Sequence, residues 1–322
     1  MPLLEVENLK MYYEILGGRW VQAVDGISFE LEKGECLGLV GESGCGKSSV
    51  AQTMLRILPS NGRIMDGKVF LNGVDLLGIP MKDFRKNVRW KKISMVFQGS
   101  MSSLNPLIRV GDQISEAITV HEDVSKGTAW KRVEELLSWV GLEPKRAKQY
   151  PFEFSGGMKQ RIVIAMALAL GPDLLIADEP TTALDVIVQA QTLGLIKRLQ
   201  KEIGLSQLII SHDVSLISQI SNYVAVMYAG KIVEKGPVKE VFITPVHPYT
   251  KLLLSSIPDI KGTRKTLKSV PGSPPDLLNP PSGCRFRPRC SHAIEECAVK
   301  EPLPTFVNAE HSACCHRTNE MR

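Results

Sequence analysis

CLGLVGESGCGKSS, Cys36 to Ser49, is the stretch from which the rest of the chain is best read. It holds Gly41-x4-Gly46-Lys47-Ser48 directly after an apolar run and directly before a segment with helical spacing, the context a phosphate-binding loop requires. Glycines let the backbone wrap close to an anion. Successive N–H groups from Gly41, Ser43, Gly44, Cys45 and Gly46 then turn inward, and the following helix adds the partial positive charge of its N-terminus. In such a loop Lys47 is the counter-ion of a nucleotide's β- and γ-phosphates, Ser48 offers its hydroxyl to Mg²⁺, and Ser49 continues the cradle. Cys45 reads as a small loop residue whose place at a helix N-terminus is expected to lower its pKa.

Working outward, residues 4 to 40 fall into short alternating apolar segments, broken by turns at Gly17-Gly18 and Lys33-Gly34, and are expected to be strands. Residues 48 to 58 and about 108 to 170 carry helical spacing. Leu174 to Ala177 and Leu208 to Ile210 are compact apolar runs of the kind buried parallel strands produce. Alternating β and α elements predict an α/β core with helices on both faces. The helical block from about 99 to 170 interrupts that core as an inserted subdomain. Residues 258 to 304 hold nine prolines and few apolar runs. The expected division is therefore a phosphate-loop domain over 1–235 and a loop-rich C-terminal extension over 236–322.

The chain has 322 residues, 43% hydrophobic and 23% charged, the composition of a globular protein with a conventional core. Its longest apolar run, Ile162 to Leu170, is well short of the roughly 20 residues that cross a bilayer. No secretory signal precedes the first strand, so a cytosolic location is expected. A formal charge of +5 without a concentrated basic segment argues against nucleic acid as a partner. There is no internal repeat and no heptad run.

Leu174-Leu175-Ile176-Ala177-Asp178-Glu179 reads as a buried strand ending in two carboxylates, Asp178 for the Mg²⁺ shell and Glu179 for polarising the attacking water. FSGGMKQR, Phe154 to Arg161, lies between the two motifs and opens a helix. It resembles the signature of ATP-binding cassette (ABC) ATPases, usually Leu-Ser-Gly-Gly-Gln. Phe154 and Met158 depart from that form, while Ser155, Gly156 and Gly157 retain it. Such a resemblance implies a RecA-like P-loop core with an antiparallel β subdomain and an inserted helical subdomain. It also gives roles to Gln98, as sensor of Mg²⁺ and nucleotide, to Asp185 of Ala183-Leu184-Asp185, at a dimer interface, and to His212, at the γ-phosphate. Tyr13 resembles the aromatic that stacks on adenine, with Tyr12 the alternative in a shifted register. In this family the signature of one subunit completes the phosphate site of another. A soluble DNA-repair ATPase of the family needs a coiled coil between Ser48 and Phe154, and a translation factor needs two motif sets; neither pattern is present.

TPVHPYTKLLLSSIP, Thr244 to Pro258, and GSPPDLLNPPSGCRFRPRC, Gly272 to Cys290, resemble the C-terminal extension of ATP-binding subunits from oligopeptide and dipeptide importers. The implied cofactors are ATP and Mg²⁺. The implied partners are a second, homologous ATPase subunit in a heterodimer, two transmembrane permeases and, indirectly, an extracytoplasmic solute-binding protein, at the cytoplasmic face of the membrane. Nickel and sugars are the alternative solutes. The tail also carries Cys284-x5-Cys290-x6-Cys297-x16-Cys314, with Cys315 adjacent. The spacing itself names no metal. Some members of the resembled family bind a [4Fe-4S] cluster here, which implies Cys284, Cys290, Cys297 and Cys314 (or Cys315) as ligands, with zinc as the alternative metal and unligated thiols as the third reading. Such a cluster is expected to staple a region with little core of its own, its negative charge offset by Arg285, Arg287 and Arg289.

Overall fold

The computed structural model describes residues 1–182, 184–256 and 270–321. In chain order the strands are β1 (Leu4–Ile15), β2 (Arg19–Leu31), β3 (Cys36–Val40), β4 (Gly62–Leu71), β5 (Val74–Asp75), β6 (Ile93–Val96), β7 (Leu174–Asp178), β8 (Ser206–Ser211), β9 (Tyr223–Tyr228), β10 (Lys231–Pro237), β11 (Thr305–Phe306) and β12 (Ser312–Ala313). The chain forms two compact units. One comprises Met1–Glu32, Cys36–Leu77 and Ile210–Arg322; the other comprises Lys33–Glu35 and Gly78–Ile209.

In the first unit β1 is the centre of an antiparallel sheet ordered β2-β1-β4-β5. Positions 4, 6, 9 and 11 of β1 are buried, so the alternation read from the sequence is the inner face of this sheet. A second sheet runs β11-β12-β10-β9-β3. All five residues of β3 are buried, and it lies parallel to β9, Leu37 opposite Tyr223. That burial explains the uninterrupted apolar run before the glycine loop. The helix after the loop, Lys47–Met54, stops short of the expected residue 58 because Arg56 turns left-handed at φ 52.

In the second unit β6 and β7 are parallel, Ile93 opposite Leu174, and the neighbour order is β8-β7-β6. The expected helical block is several helices. Val110–His121 buries Val110, Ile114 and Ile118 along one face. Ser125 caps Lys126–Trp139, its side chain accepting from Thr128 N. Gly156–Ala167 follows. Among the described residues no helix is long and apolar enough to cross a membrane.

The cysteine-cluster expectation is overturned. Among the described residues no group of three or more His, Cys, Asp or Glu side chains is gathered so as to hold a metal ion, which removes both the [4Fe-4S] cluster and the zinc alternative on Cys284, Cys290, Cys297 and Cys314. These are free thiols, as is Cys315. Burial pushes the Cys284 thiol up to about 11 and the Cys314 thiol up to about 12, favouring the neutral form of these two. What holds the tail is ordinary packing and polar pairing. Phe286, 1% exposed, meets the rings of Tyr228 and Tyr249 at 5.1 and 5.4 Å. Arg285 and Arg289 pair with Asp25 and Glu42 instead of offsetting a cluster. The buried Glu234 accepts from Val246 N, His247 N and the His311 ring, joining β10 to the turn before β12.

Candidate functional site

In the first unit the loop after β3 turns on glycines held where L-residues are strained. Gly41, Gly44 and Gly46 have φ 156, 78 and 105. A Cβ at Gly41 would lie 2.1 Å from the Met227 carbonyl oxygen, and one at Gly46 would lie 2.0 Å from that of Ala23. Backbone of β9 and β2 therefore presses on one side of the loop, whereas a Cβ at Gly44 meets nothing within 4 Å. Gly46 is the N-cap of helix Lys47–Met54 and has no side chain to satisfy the first N–H groups, the arrangement that receives an anion. Lys47 is 6% exposed, and its Nζ donates to the carbonyls of Gly41 and Glu42 at 2.7 and 3.0 Å. Cys45 departs from expectation. Burial pushes its thiol up, and the opposing influence of Lys47 is the smaller one.

Tyr13 shares a hydrogen bond with Ser49 at 2.9 Å, which puts it beside this helix. Tyr12 instead donates to Asp25 at 2.7 Å; burial first, then that hydrogen bond, raises its pKa. His212 is exposed at the end of β8, and Asp213 caps the next helix, Val214–Ile220, by accepting from Ser215 N and Leu216 N.

In the second unit β7 is buried throughout and delivers Asp178, 4% exposed, then Glu179. Glu179 sits at φ 48, unusual for a residue with a side chain. Its Oε2 accepts from Gln98 Nε2 at 2.8 Å and from Thr182 Oγ1 at 2.9 Å. The strand before Gln98 ends at Val96, and Gln98 itself is exposed. Thr182 escaped the sequence reading; its only signal was a hydroxyl three residues after the second carboxylate.

Ser155 is the N-cap of helix Gly156–Ala167, its hydroxyl accepting from Met158 N at 3.4 Å. Ser155 and Gly156 are exposed. Gly157 is buried, and a Cβ there would lie 2.3 Å from Val188 Cγ1. Of the two departures from the usual signature, Phe154 is buried under Arg146, whose guanidinium also donates to Met158 Sδ. Asp185 caps helix Val186–Ile203 by accepting from Val188 N at 3.0 Å. Ala183, quoted beside it, lies outside the described residues. In the second unit Gln98 offers an amide oxygen and Asp178 a carboxylate, and in the first unit Ser48 offers a hydroxyl; each is a hard oxygen donor of the kind Mg²⁺ takes.

A glycine loop between a buried parallel strand and a helix, a strand-end carboxylate pair and a Ser-Gly-Gly helix cap define a P-loop ATPase of the cassette type. The chain belongs to the ABC transporter family. The family model for ABC transporters matches residues 24–182, and that for the oligopeptide/dipeptide transporter C-terminal region matches residues 233–297. The chain is similar to the dipeptide transport ATP-binding protein DppD of Bacillus subtilis, 46% identical over 97% of this chain and 94% of that protein. It is similar also to the oligopeptide transport ATP-binding protein OppD of the same organism, at 49% over 96% and 87%. OppD of Escherichia coli is 44% identical over 99% and 94%. Among solved structures, a dimeric ATP-binding cassette in a post-hydrolysis state with ADP and phosphate superposes with a TM-score of 0.64, 25% identical over 73% of this chain and 98% of that one. A cassette of an ABC transporter complex from Clostridium perfringens gives 0.66, 29% identical over 75% and 90%. As an ABC ATP-binding protein the chain is an ATPase, and ATP and Mg²⁺ are the cofactors expected of its family.

Proposed function

We propose that this chain is the ATP-hydrolysing subunit of a binding-protein-dependent importer of di- and oligopeptides. It would pair with a homologous ATPase subunit at the cytoplasmic face of the membrane, beneath two permeases supplied by an extracytoplasmic binding protein. Support comes from the match of the C-terminal region and from full-length relatives whose names carry peptide transport. The same two matches support a division into an ATPase domain over 1–235, with a helical subdomain within about 99–170, and an extension over 236–322.

The orientation of Glu179 carries the catalytic reading. Two donors, Gln98 and Thr182, fix its carboxylate, as a base that polarises a water molecule requires. Gly41, Ser43, Gly44, Cys45, Gly46, Lys47 and Ser49 bind the phosphates, and Tyr13 stacks on the adenine. Ser48, Gln98 and Asp178 would hold Mg²⁺, which would supply charge neutralisation for the phosphates. His212 contacts the γ-phosphate. Ser155, Gly156 and Gly157 serve the nucleotide of the partner subunit, and Asp185 faces that partner.

The test is reconstitution with the permeases and binding protein in liposomes. Peptide-loaded binding protein is expected to stimulate ATP hydrolysis severalfold; stimulation by nickel or a sugar, with none by peptides, refutes the peptide assignment.

A further inference from the structure

We propose that the tail segment around Arg285 and Arg289 braces the phosphate-binding loop at both ends, and that Arg289 is a positioning residue for ATP binding. This rests on the ATP-site reading of that loop. Arg289, with a side chain 5% exposed, grips Glu42 with both arms: Nη1 to Oε2 at 2.6 Å and Nη2 to Oε1 at 2.9 Å. Its Nε donates to the Pro271 carbonyl at 2.7 Å, and its plane lies over the Tyr228 ring at 5.6 Å. The fork is thus held on several sides, as a bidentate pair needs to be rigid. Glu42 is fixed a second time through its backbone, whose N–H donates to the buried Tyr249 hydroxyl at 3.0 Å. It follows Gly41, and the carbonyls of these two residues are the ones that Lys47 touches.

The far end of the loop is held by Arg285. Its Nη1 donates to the Ala229 carbonyl at 2.6 Å, and its Nη2 reaches Asp25 and Gln22, each at 2.5 Å. Gly230, next to Ala229, donates its N–H to the Cys45 carbonyl at 3.0 Å. Ala23, next to Gln22, is the residue whose carbonyl presses on Gly46. One arginine sets the start of the loop directly; the other sets its close through two backbone segments.

Charge makes the first contact matter to nucleotide. Glu42 is a carboxylate inside a loop built for a polyanion, and the Arg289 guanidinium paired with it offsets the charge that would repel the phosphates. A neutral residue at 289 leaves that carboxylate uncompensated where the phosphates must enter.

Kd is measured on the purified full-length chain with Mg²⁺ and a fluorescent ATP analogue, and kcat on the same chain assembled with its homologous ATPase subunit. Arg289→Met is expected to raise Kd about tenfold while kcat at saturating ATP moves less than about twofold. In a Glu42→Gln background the same substitution is expected to raise Kd less than about threefold, because no carboxylate is stranded. Equal loss in both backgrounds, no loss in either, or a fall in kcat at constant Kd overturns the proposal. If Arg289→Met does not fold, Arg289→Lys, which keeps the charge and loses the fork, is read in the same two backgrounds, with about a threefold loss expected in the first. A wild-type chain that binds no ATP defeats the ATP-site reading instead.

Discussion

Single side chains carry the sharpest consequences. Glu179→Gln keeps both donors within reach of an acceptor oxygen and removes the negative charge that polarises water. Turnover is expected to fall about 10²–10⁴-fold with ATP affinity retained. Lys47→Ala should do the reverse, weakening ATP binding by about tenfold or more. Phosphate release and equilibrium binding on the two variants separate the roles; wild-type turnover in Glu179→Gln would falsify the assignment of the base. His247 predicts an acid limit. Burial lowers its pKa from 6.5 to about 4, outweighing the raising influence of Glu234. The unfolded chain therefore takes up a proton that the folded chain refuses as pH falls from about 6.5 to about 4. Stability is full above that window and declines through it by up to about 3 kcal/mol. Urea titrations at pH 7.5 and 4.5, on wild type and His247→Asn, measure the difference; equal slopes with pH in both would refute it.

At the level of elements, helices Gly156–Ala167 and Val186–Ile203 approach so closely at Gly157 and Val188 that a methyl group has no room. Gly157→Ala should push them apart at a cost of about 1–3 kcal/mol, and adding Val188→Ala should recover most of it. Chemical denaturation of the two variants tests this; a destabilisation that Val188→Ala leaves untouched argues against the contact. Elements of this kind were largely legible in the sequence. The phosphate loop, the runs that became β3, β7 and β8, and the capped signature helix follow from period, burial and glycine placement within a few residues. Pairings across the chain were not. Gln98 and Glu179 are 81 positions apart, and Glu42 and Arg289 are 247 apart. No local pattern records such a meeting. The cysteines misled for the same reason: their spacing states which ligand chemistry is on offer, while only the backbone path decides whether the sulfurs converge. The residues that anchor the tail were the arginines between them, read as companions of a cluster.

For the molecule as a whole, the proposed roles are divided between Ser155–Gly157 on one chain and the phosphate loop on another, so ATP should control association. Glu179→Gln with Mg²⁺ and ATP is expected to sediment as a dimer, and the same protein with ADP as a monomer. If association with ATP appears only after the homologous ATPase subunit is added, the assembly is a heterodimer. A monomer in every mixture would count against shared sites.

The first unit is assembled from the two ends of the chain, Met1–Glu32 and Cys36–Leu77 with Ile210–Arg322, whereas the second is nearly continuous from Gly78. Emerging from a ribosome, the second unit can close as soon as it is made. β3 meanwhile waits for β9, and Asp25 and Glu42 wait for Arg285 and Arg289. At elongation rates of about 5–20 residues per second that delay lasts on the order of ten seconds. Throughout it β3, the strand that leads into the glycine loop, lacks β9 as its neighbour, so the nascent chain is open to chaperones, and to mispairing, where its nucleotide chemistry will later reside.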